Sequence, residues 1–355
     1  MESIYWVVCW ACHRKCAHCY DDRFRPYVRG KLEGVVAEAE AHWPRIVANL
    51  PPRMRYRTRP RDGQPGEERI GRIILAGGEL LVDPVRERVL YPLLEALRAR
   101  YGADGARIVL QTTGDLLDEA IIRDLVARGV WLITCAGFDD FHVGMEAHRR
   151  APLVAALEAA FSGAGVERVG ISARERDWLT EDGPFWTGMG AVEGSWIGEL
   201  WPRGRAWENG LSSATIETNF CARQSGARRF LEIGQQGSEV AIEPDGSLYP
   251  CCLKTKRPLG SVAEEPLLEI LESLRGHPVF EALNRGAPDE MGLGITPDAF
   301  RDASHTIDPK GRPYANLCIG CDRFFEERLG PVIVAARERR TLVRRAREGL
   351  APAVA

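Results

Sequence analysis

The sequence predicts an α/β protein, a first part in which short apolar strands alternate with helices and a smaller α+β second part. Three observations carry this. Strand-length hydrophobic runs recur with helix-period segments between them up to about residue 173, glycines stand at several strand ends, and ten cysteines fall mainly in two groups at opposite ends of the chain. Such alternation favours a parallel sheet or an α/β barrel, with chemistry at the C-terminal ends of the strands.

The elements follow in order. Residues 4–9 (IYWVVC) are apolar and read as a strand, and 34–49 carry helical spacing. Residues 71–76 (GRIILA) form a buried strand ending in Gly77-Gly78-Glu79, and 84–101 is an amphipathic helix with proline in its first turn. The unit repeats as strand 107–112 with helix 116–128, and as strand 130–135 with helix 151–162, closed by Gly163. A fifth strand is expected at 166–173. The pattern degrades over 175–220, where five of the nine tryptophans (Trp178, Trp186, Trp196, Trp201 and Trp207) sit among glycines; this segment either walls a pocket or packs as core. Further on, EVAIEPDGSLYPCC reads as a hairpin around a Pro-Asp-Gly turn, and a basic helix, 331–349, ends the chain. We expect domains at 1–206 and 207–330, with 331–355 as a solvated tail.

Composition excludes several classes. At about 150 residues per domain, a chain of 355 residues holds about two. With 47 basic and 50 acidic side chains the net charge is -3, so no global field draws the chain to nucleic acid or an anionic membrane. The opening MESIYWVVCWAC has no basic leader and its apolar run is too short to span a bilayer, so we expect a cytoplasmic protein. In that compartment ten cysteines point to metal or redox chemistry before disulfides.

Cys12, Cys16 and Cys19 form a C-x3-C-x2-C loop straight after the first strand. Three thiolates presented to one side would leave one iron of a four-iron cluster without a protein ligand, room for a substrate or cofactor to chelate. Two alternatives stand beside this: a zinc knuckle that adds Cys9, and a closed ferredoxin-type cluster, which wants C-x2-C-x2-C. At the other end, Cys318 and Cys321 make a C-x2-C hook, and with Cys221 and Cys251 they supply four ligands, for zinc or for an iron-sulfur cluster.

The CxxxCxxC loop, Gly77-Gly78-Glu79 and the βα series behind them resemble the radical S-adenosylmethionine (SAM) superfamily over about residues 1–206. The resemblance implies a partial (β/α)6 TIM-like barrel. In it Cys12, Cys16 and Cys19 would hold a catalytic [4Fe-4S] cluster, and Gly77, Gly78 and Glu79 would receive the methionyl amino group of SAM. Thr134 on the fourth strand and Arg174 after the fifth match, by position, residues that would contact SAM further, and Thr112 and Thr113 after the third strand are additional strand-end candidates. His18 departs from the aromatic residue usual before the last cysteine, and Cys9 has no role in the motif. Residues 207–330 resemble the SPASM/twitch extension, through PRGRAW (202–207), EPDGSLYPC (243–251), LGSVAEEPLLEIL (259–271) and LCIGCDRFFEE (317–327). That implies a small α+β domain with one auxiliary [4Fe-4S] cluster on Cys221, Cys251, Cys318 and Cys321, with Cys252 open as an alternative to Cys251.

The implied activity is reductive cleavage of SAM to a 5'-deoxyadenosyl radical that abstracts hydrogen from a small-molecule or peptide substrate, in oxidation, epimerisation or cross-linking. An external reductant such as flavodoxin or ferredoxin would supply the electron. Asp140 and His142, in GFDDFHVG beyond the fourth strand, are candidate general acid or base groups. Only eight residues precede Cys9, so no fused leader-peptide domain is expected. Alternating arginines at 53, 55, 57, 59 and 61 would either grip an anion or form a solvated loop balanced by Glu67 and Glu68. A reading from another class is a non-catalytic metal-thiolate protein, an electron carrier or a zinc-stabilised nucleic-acid binder.

Overall fold

The computed structural model describes residues 1–60, 63–170, 182–190, 199–223 and 225–350. Strand β1 (Ser3–Val7) buries Ile4 and Trp6 completely, and helix α1 (Arg29–Asn49) follows, burying Val36, Ala39, Ile46 and Val47. A small antiparallel ribbon, β2 (Arg55–Arg57) with β3 (Glu68–Ile70), precedes strand β4 (Arg72–Ala76). The helix expected from residue 84 begins as a π-turn, Arg86–Leu90, and continues as α2 (Tyr91–Tyr101). Strand β5 (Arg107–Thr112), helix α3 (Glu119–Ala127), strand β6 (Val130–Ala136) and helix α4 (Ala147–Gly163) complete the repeats. The start of α3 is set by Asp118, whose side chain accepts from the Ile121 N–H at 2.8 Å.

Beyond this point the structure departs from expectation. The fifth strand is short, β7 (Glu167–Arg168), and residues 171–173 of the expected span lie outside the described residues. A strand that periodicity did not reveal, β8 (Phe185–Met189), enters between β6 and β7. Its residues are FWTGM, with too few β-branched positions to announce a strand, and packing decides it. Trp186 stacks on Phe161 at 4.5 Å, and Gly188 leaves space for Phe138, whose ring would lie 2.0 Å from a Cβ there. Trp178 and Trp196 lie outside the described residues.

The second half adds α5 (Gly204–Glu208), the hairpin β9 (Glu239–Ile242) and β10 (Ser247–Tyr249), β11 (Gly260–Ser261), α6 (Leu267–Leu274), α7 (Pro278–Arg285), α8 (Pro297–Ala303), the ribbon β12 (His305–Ile307) and β13 (Pro313–Ala315), α9 (Leu317–Glu327) and α10 (Gly330–Leu350). Among the described residues one nine-stranded sheet runs β11-β10-β9-β1-β4-β5-β6-β8-β7. All its pairings from β9 through β1 to β7 are parallel, and β9–β10 and β10–β11 are antiparallel. The sheet therefore runs through the expected boundary at residue 206, because β9 pairs along β1 from Ser3↔Glu239 to Trp6↔Ile242. Helix α10 is likewise tied down: Arg340, 5% exposed, donates to the Glu265 carboxylate at 2.7 Å and to Ser273 Oγ at 3.1 Å.

In-register pairing lines up the strand ends that matter. Val7 pairs with Ala76, Thr112 with Cys135 and Ala136 with Met189, so the loops after β1, β4, β5 and β6 leave the sheet on one side. Parallel strands covered by helices explain the continuous apolar runs of the sequence. Among the described residues no helix is long and apolar enough to cross a membrane.

The candidate two-centre cysteine site

The loop after β1 and the loop after β4 are fitted to each other. The Gly78 N–H donates to Cys9 O at 3.1 Å and the Glu79 N–H to Ala11 O at 2.8 Å. A Cβ on Gly78 would lie 2.1 Å from Ala11 O and 2.8 Å from Cys12 Cβ, and one on Gly77 2.8 Å from Cys9 O. The glycines are thus required first by the approach of two backbones. Both also line a cavity of about 140 Å³ at the strand ends, together with Cys12, Cys16, Cys19, Thr112 and Thr113. Cys9 points away, buried in the core near Val35 O on α1.

The three loop cysteines suit a metal. Burial raises their thiol pKa, to about 12 for Cys12 and about 11 for Cys19, with Cys16 also raised. Cys12 feels both Cys16 and Cys19. Backbone N–H groups of Arg14 and Val143 donate to the sulfurs of Cys12 and Cys16, each at 3.4 Å. Largely shielded thiols clustered around one cavity, with amides aimed at two of them, fit a metal that would take the proton's place. Arg205, 5% exposed, fastens the loop by donating to the carbonyls of Cys16 (2.8 Å), Asp22 (3.1 Å) and Phe24 (2.7 Å). The sequence singled out its PRGRAW run but not this role.

Glu79 does not line the cavity. It is fully buried, and its carboxylate accepts from Thr112 Oγ1 (2.8 Å), Thr113 Oγ1 (2.8 Å), Thr113 N–H (2.7 Å) and Leu81 N–H (3.0 Å). Thr134 is buried on β6, two residues before the cavity-lining Ala136 and so on the same face. Arg174 lies outside the described residues.

The acid-base candidates need a correction. Asp140 faces solvent, 73% exposed, where it pairs with Arg150, so it is not placed at the cavity. Asp139, fully buried, takes that position: Oδ1 lies 2.8 Å from His142 Nδ1 and accepts from the N–H of Phe141 (2.9 Å) and of His142 (3.1 Å). A tight turn directs neighbouring side chains to opposite sides, which spacing alone does not show. His142 stands with its ring 4.3 Å from that of His18, whose pKa burial and the adjacent His142 lower to about 4. Across the cavity, Tyr5 Oη donates to Gln111 Oε1 at 3.1 Å and lies 3.4 Å from Tyr20 Oη.

The second centre gathers Cys221, Cys251, Cys318 and Cys321. Burial raises all four thiols, Cys251 to about 12 and Cys318 to about 11; Cys321 feels the charge of the other three and Cys221 that of Cys318 and Cys251. Helix α9 delivers two of them: Asn316 caps it by accepting from the Cys318 N–H at 2.9 Å, and spacing i, i+3 puts Cys318 and Cys321 on one face. Both members of the adjacent pair pack against the cluster that holds Cys318; Cys251 feels the charge of Cys318, whereas Cys252 is felt by Tyr5 and Tyr20 on the cavity side. The segments that follow Cys19 and Cys251 are joined by an ion network in which buried Lys254 Nζ meets Asp21 (2.9 Å) and Glu243 (2.8 Å), and the more exposed Arg23 meets the same two carboxylates at 2.6 and 2.7 Å.

Residues 235–287, which include the hairpin and Cys251, match the family model of the SPASM iron-sulfur cluster-binding domain. That stretch is similar to a SPASM domain. Helices α6 and α7 complete the matched segment, while Cys221, Cys318 and Cys321 lie outside the match. Among solved structures the chain is similar to BtrN in complex with AdoMet and 2-DOIA, with TM-score 0.40 and 13% identity over 83% of this chain and 94% of that one. It is similar also to native anSMEcpe with bound AdoMet and Cp18Cys peptide (TM-score 0.43, 16% identity, 95% and 99% covered) and to Streptococcus suis SuiB bound to S-adenosylmethionine (TM-score 0.37, 10% identity, 79% and 67% covered). No curated protein matches the sequence.

The arginine run behaves as a solvated segment. Arg55 and Arg57 donate to the carbonyls of Asp104 and Gly66, Arg69 pairs with Glu67, and Arg61 lies outside the described residues.

Proposed function

We propose that the protein is a radical SAM enzyme, its sheet serving as the partial (β/α)6 barrel and its SPASM half carrying one auxiliary [4Fe-4S] cluster. One observation carries the reading: three thiols, Cys16 buried and Cys12 and Cys19 half-buried, share a cavity at the C-terminal strand ends with the Gly77-Gly78 backbone. Cys12, Cys16 and Cys19 would hold the catalytic [4Fe-4S] cluster, Cys221, Cys251, Cys318 and Cys321 the auxiliary one. When bound, cluster and SAM supply one-electron chemistry that removes hydrogen from an unactivated carbon of the substrate.

The chain's own residues do the rest. Gly77, Gly78, Thr112, Thr113 and, deeper, Thr134 would form the SAM-binding wall, and Arg174 is carried as a further contact. Glu79 holds that wall in place through its hydrogen bonds to Thr112, Thr113 and Leu81. Asp139 takes the Nδ1–H of His142, which leaves Nε2 as the basic nitrogen for a substrate proton. Tyr5, Tyr20, Gln111 and Trp201 would face a small molecule or one residue of a peptide. A flavodoxin or ferredoxin of the reducing cytoplasm would be the electron donor.

The test is anaerobic purification with iron and sulfide analysis, then incubation with dithionite and SAM. The reading expects about eight irons per chain, two four-iron clusters, and release of 5'-deoxyadenosine. Bound zinc without SAM turnover would replace it with the non-catalytic metal-thiolate alternative.

A further inference from the structure

Residues 201–205 run between the two cysteine centres as a strap. Trp201 meets Tyr20 edge-on at 5.8 Å on one side and packs in the same apolar cluster as Cys318 and Cys251 on the other. Gly204 lies so close to the first loop that a Cβ there would fall 2.4 Å from the Tyr20 backbone. Arg205 serves the first centre, as described above. Arg203 turns the other way.

Its guanidinium, 13% exposed, meets both carboxylate oxygens of Asp322, at 2.8 and 2.9 Å, and donates to Leu253 O at 3.3 Å and Cys318 O at 3.4 Å. Burial opposes the charge, but Asp322, Cys318, Cys321 and Cys251 favour it, and the sum holds the cation more firmly than usual. Cys221 feels the same charge. A fixed cation thus stands within electrostatic reach of all four thiols, with Asp322 directly after Cys321 as its counter-charge.

We propose that Arg203 and Asp322 set the electron affinity of the auxiliary centre as an opposed pair, an inference that rests on the four-cysteine set holding an iron-sulfur cluster. The physical reason is simple. A thiolate-bound cluster gains negative charge on reduction, and in a site of low dielectric a nearby cation stabilises the reduced form while a nearby anion opposes it. A purely structural role for the pair has no such sign: losing either partner would disturb the site in the same sense.

The experiment uses the full chain with Cys12, Cys16 and Cys19 all replaced by Ala, so that one centre alone reports, and follows its midpoint potential by EPR-monitored redox titration. Arg203→Gln should lower the midpoint by about 59 mV, a tenfold change in a one-electron equilibrium. Asp322→Asn should raise it by a similar amount, and Arg203→Lys should stay near the parent. If Arg203→Gln does not fold, Asp322→Asn still decides through its sign. Unmoved midpoints, or shifts of the same sign in both variants, overturn the tuning alone; no iron-sulfur signal in the parent background overturns the cluster reading and the tuning with it.

Discussion

Asp139 holds His142 by its Nδ1 at 2.8 Å inside the cavity, while the next residue, Asp140, pairs with Arg150 in solvent. Replacing each acid by its amide should therefore separate them. Asp140→Asn should leave substrate turnover within about twofold, because exposed ion pairs contribute little. Asp139→Asn frees the imidazole, and turnover should drop by about 10²-fold or more, the scale of general acid-base catalysis. Equal losses in the two variants would remove the dyad from the mechanism.

Gly78 faces Ala11 O at 2.1 Å from where a Cβ would stand, and this contact is backbone, which cannot swing aside. Gly78→Ala should displace the first cysteine loop, so that iron bound per chain falls by about half while the second centre stays loaded, given four irons in each. Iron and sulfide analysis of the anaerobic protein checks it. Full loading would show that the loop yields.

Lys254 neutralises two carboxylates, Asp21 and Glu243, whose side chains are 9% and 5% exposed. Breaking a buried pair by removing one partner costs about 3–5 kcal/mol, since the other charge stays behind. Lys254→Met should lower stability by that order in denaturant unfolding of the metal-free chain. A loss under about 1 kcal/mol would mean that Arg23, which meets both carboxylates, suffices.

Cys16→Ala should abolish SAM cleavage, whereas Cys321→Ala should leave 5'-deoxyadenosine release detectable but uncoupled from product. Product and 5'-deoxyadenosine measured in one reaction test this. Abolition by both variants would end the division of labour between the two centres.

Much of this was legible in the order of residues. Strands at 107–112 and 130–135 rest on continuous apolar runs, and the helix at 116–128 on its period, because local periodicity and burial coincide there. Strand β8 was not legible: Gly188 and Trp186 belong in it only because Phe138 and Phe161 wait for them from other elements. Nor was the single sheet, since β9 meets β1 across more than 230 positions of chain. Glu79 was read as a ligand-facing carboxylate, and the two threonines that bind it come from a strand end more than 30 residues on.

The sequence by itself supplied the groups from which the two proposed centres are built: thiols at 12, 16 and 19, a second set at 221, 251 or 252, 318 and 321, and glycines where two backbones must touch. Those depend on residue type and short spacing, which the chain carries locally. Tertiary structure decided which of two neighbours reaches the cavity, Asp139 over Asp140, and which way Arg203 and Arg205 face. Adjacent side chains leave the backbone in different directions, so what each one meets is set by elements that arrive from far along the chain.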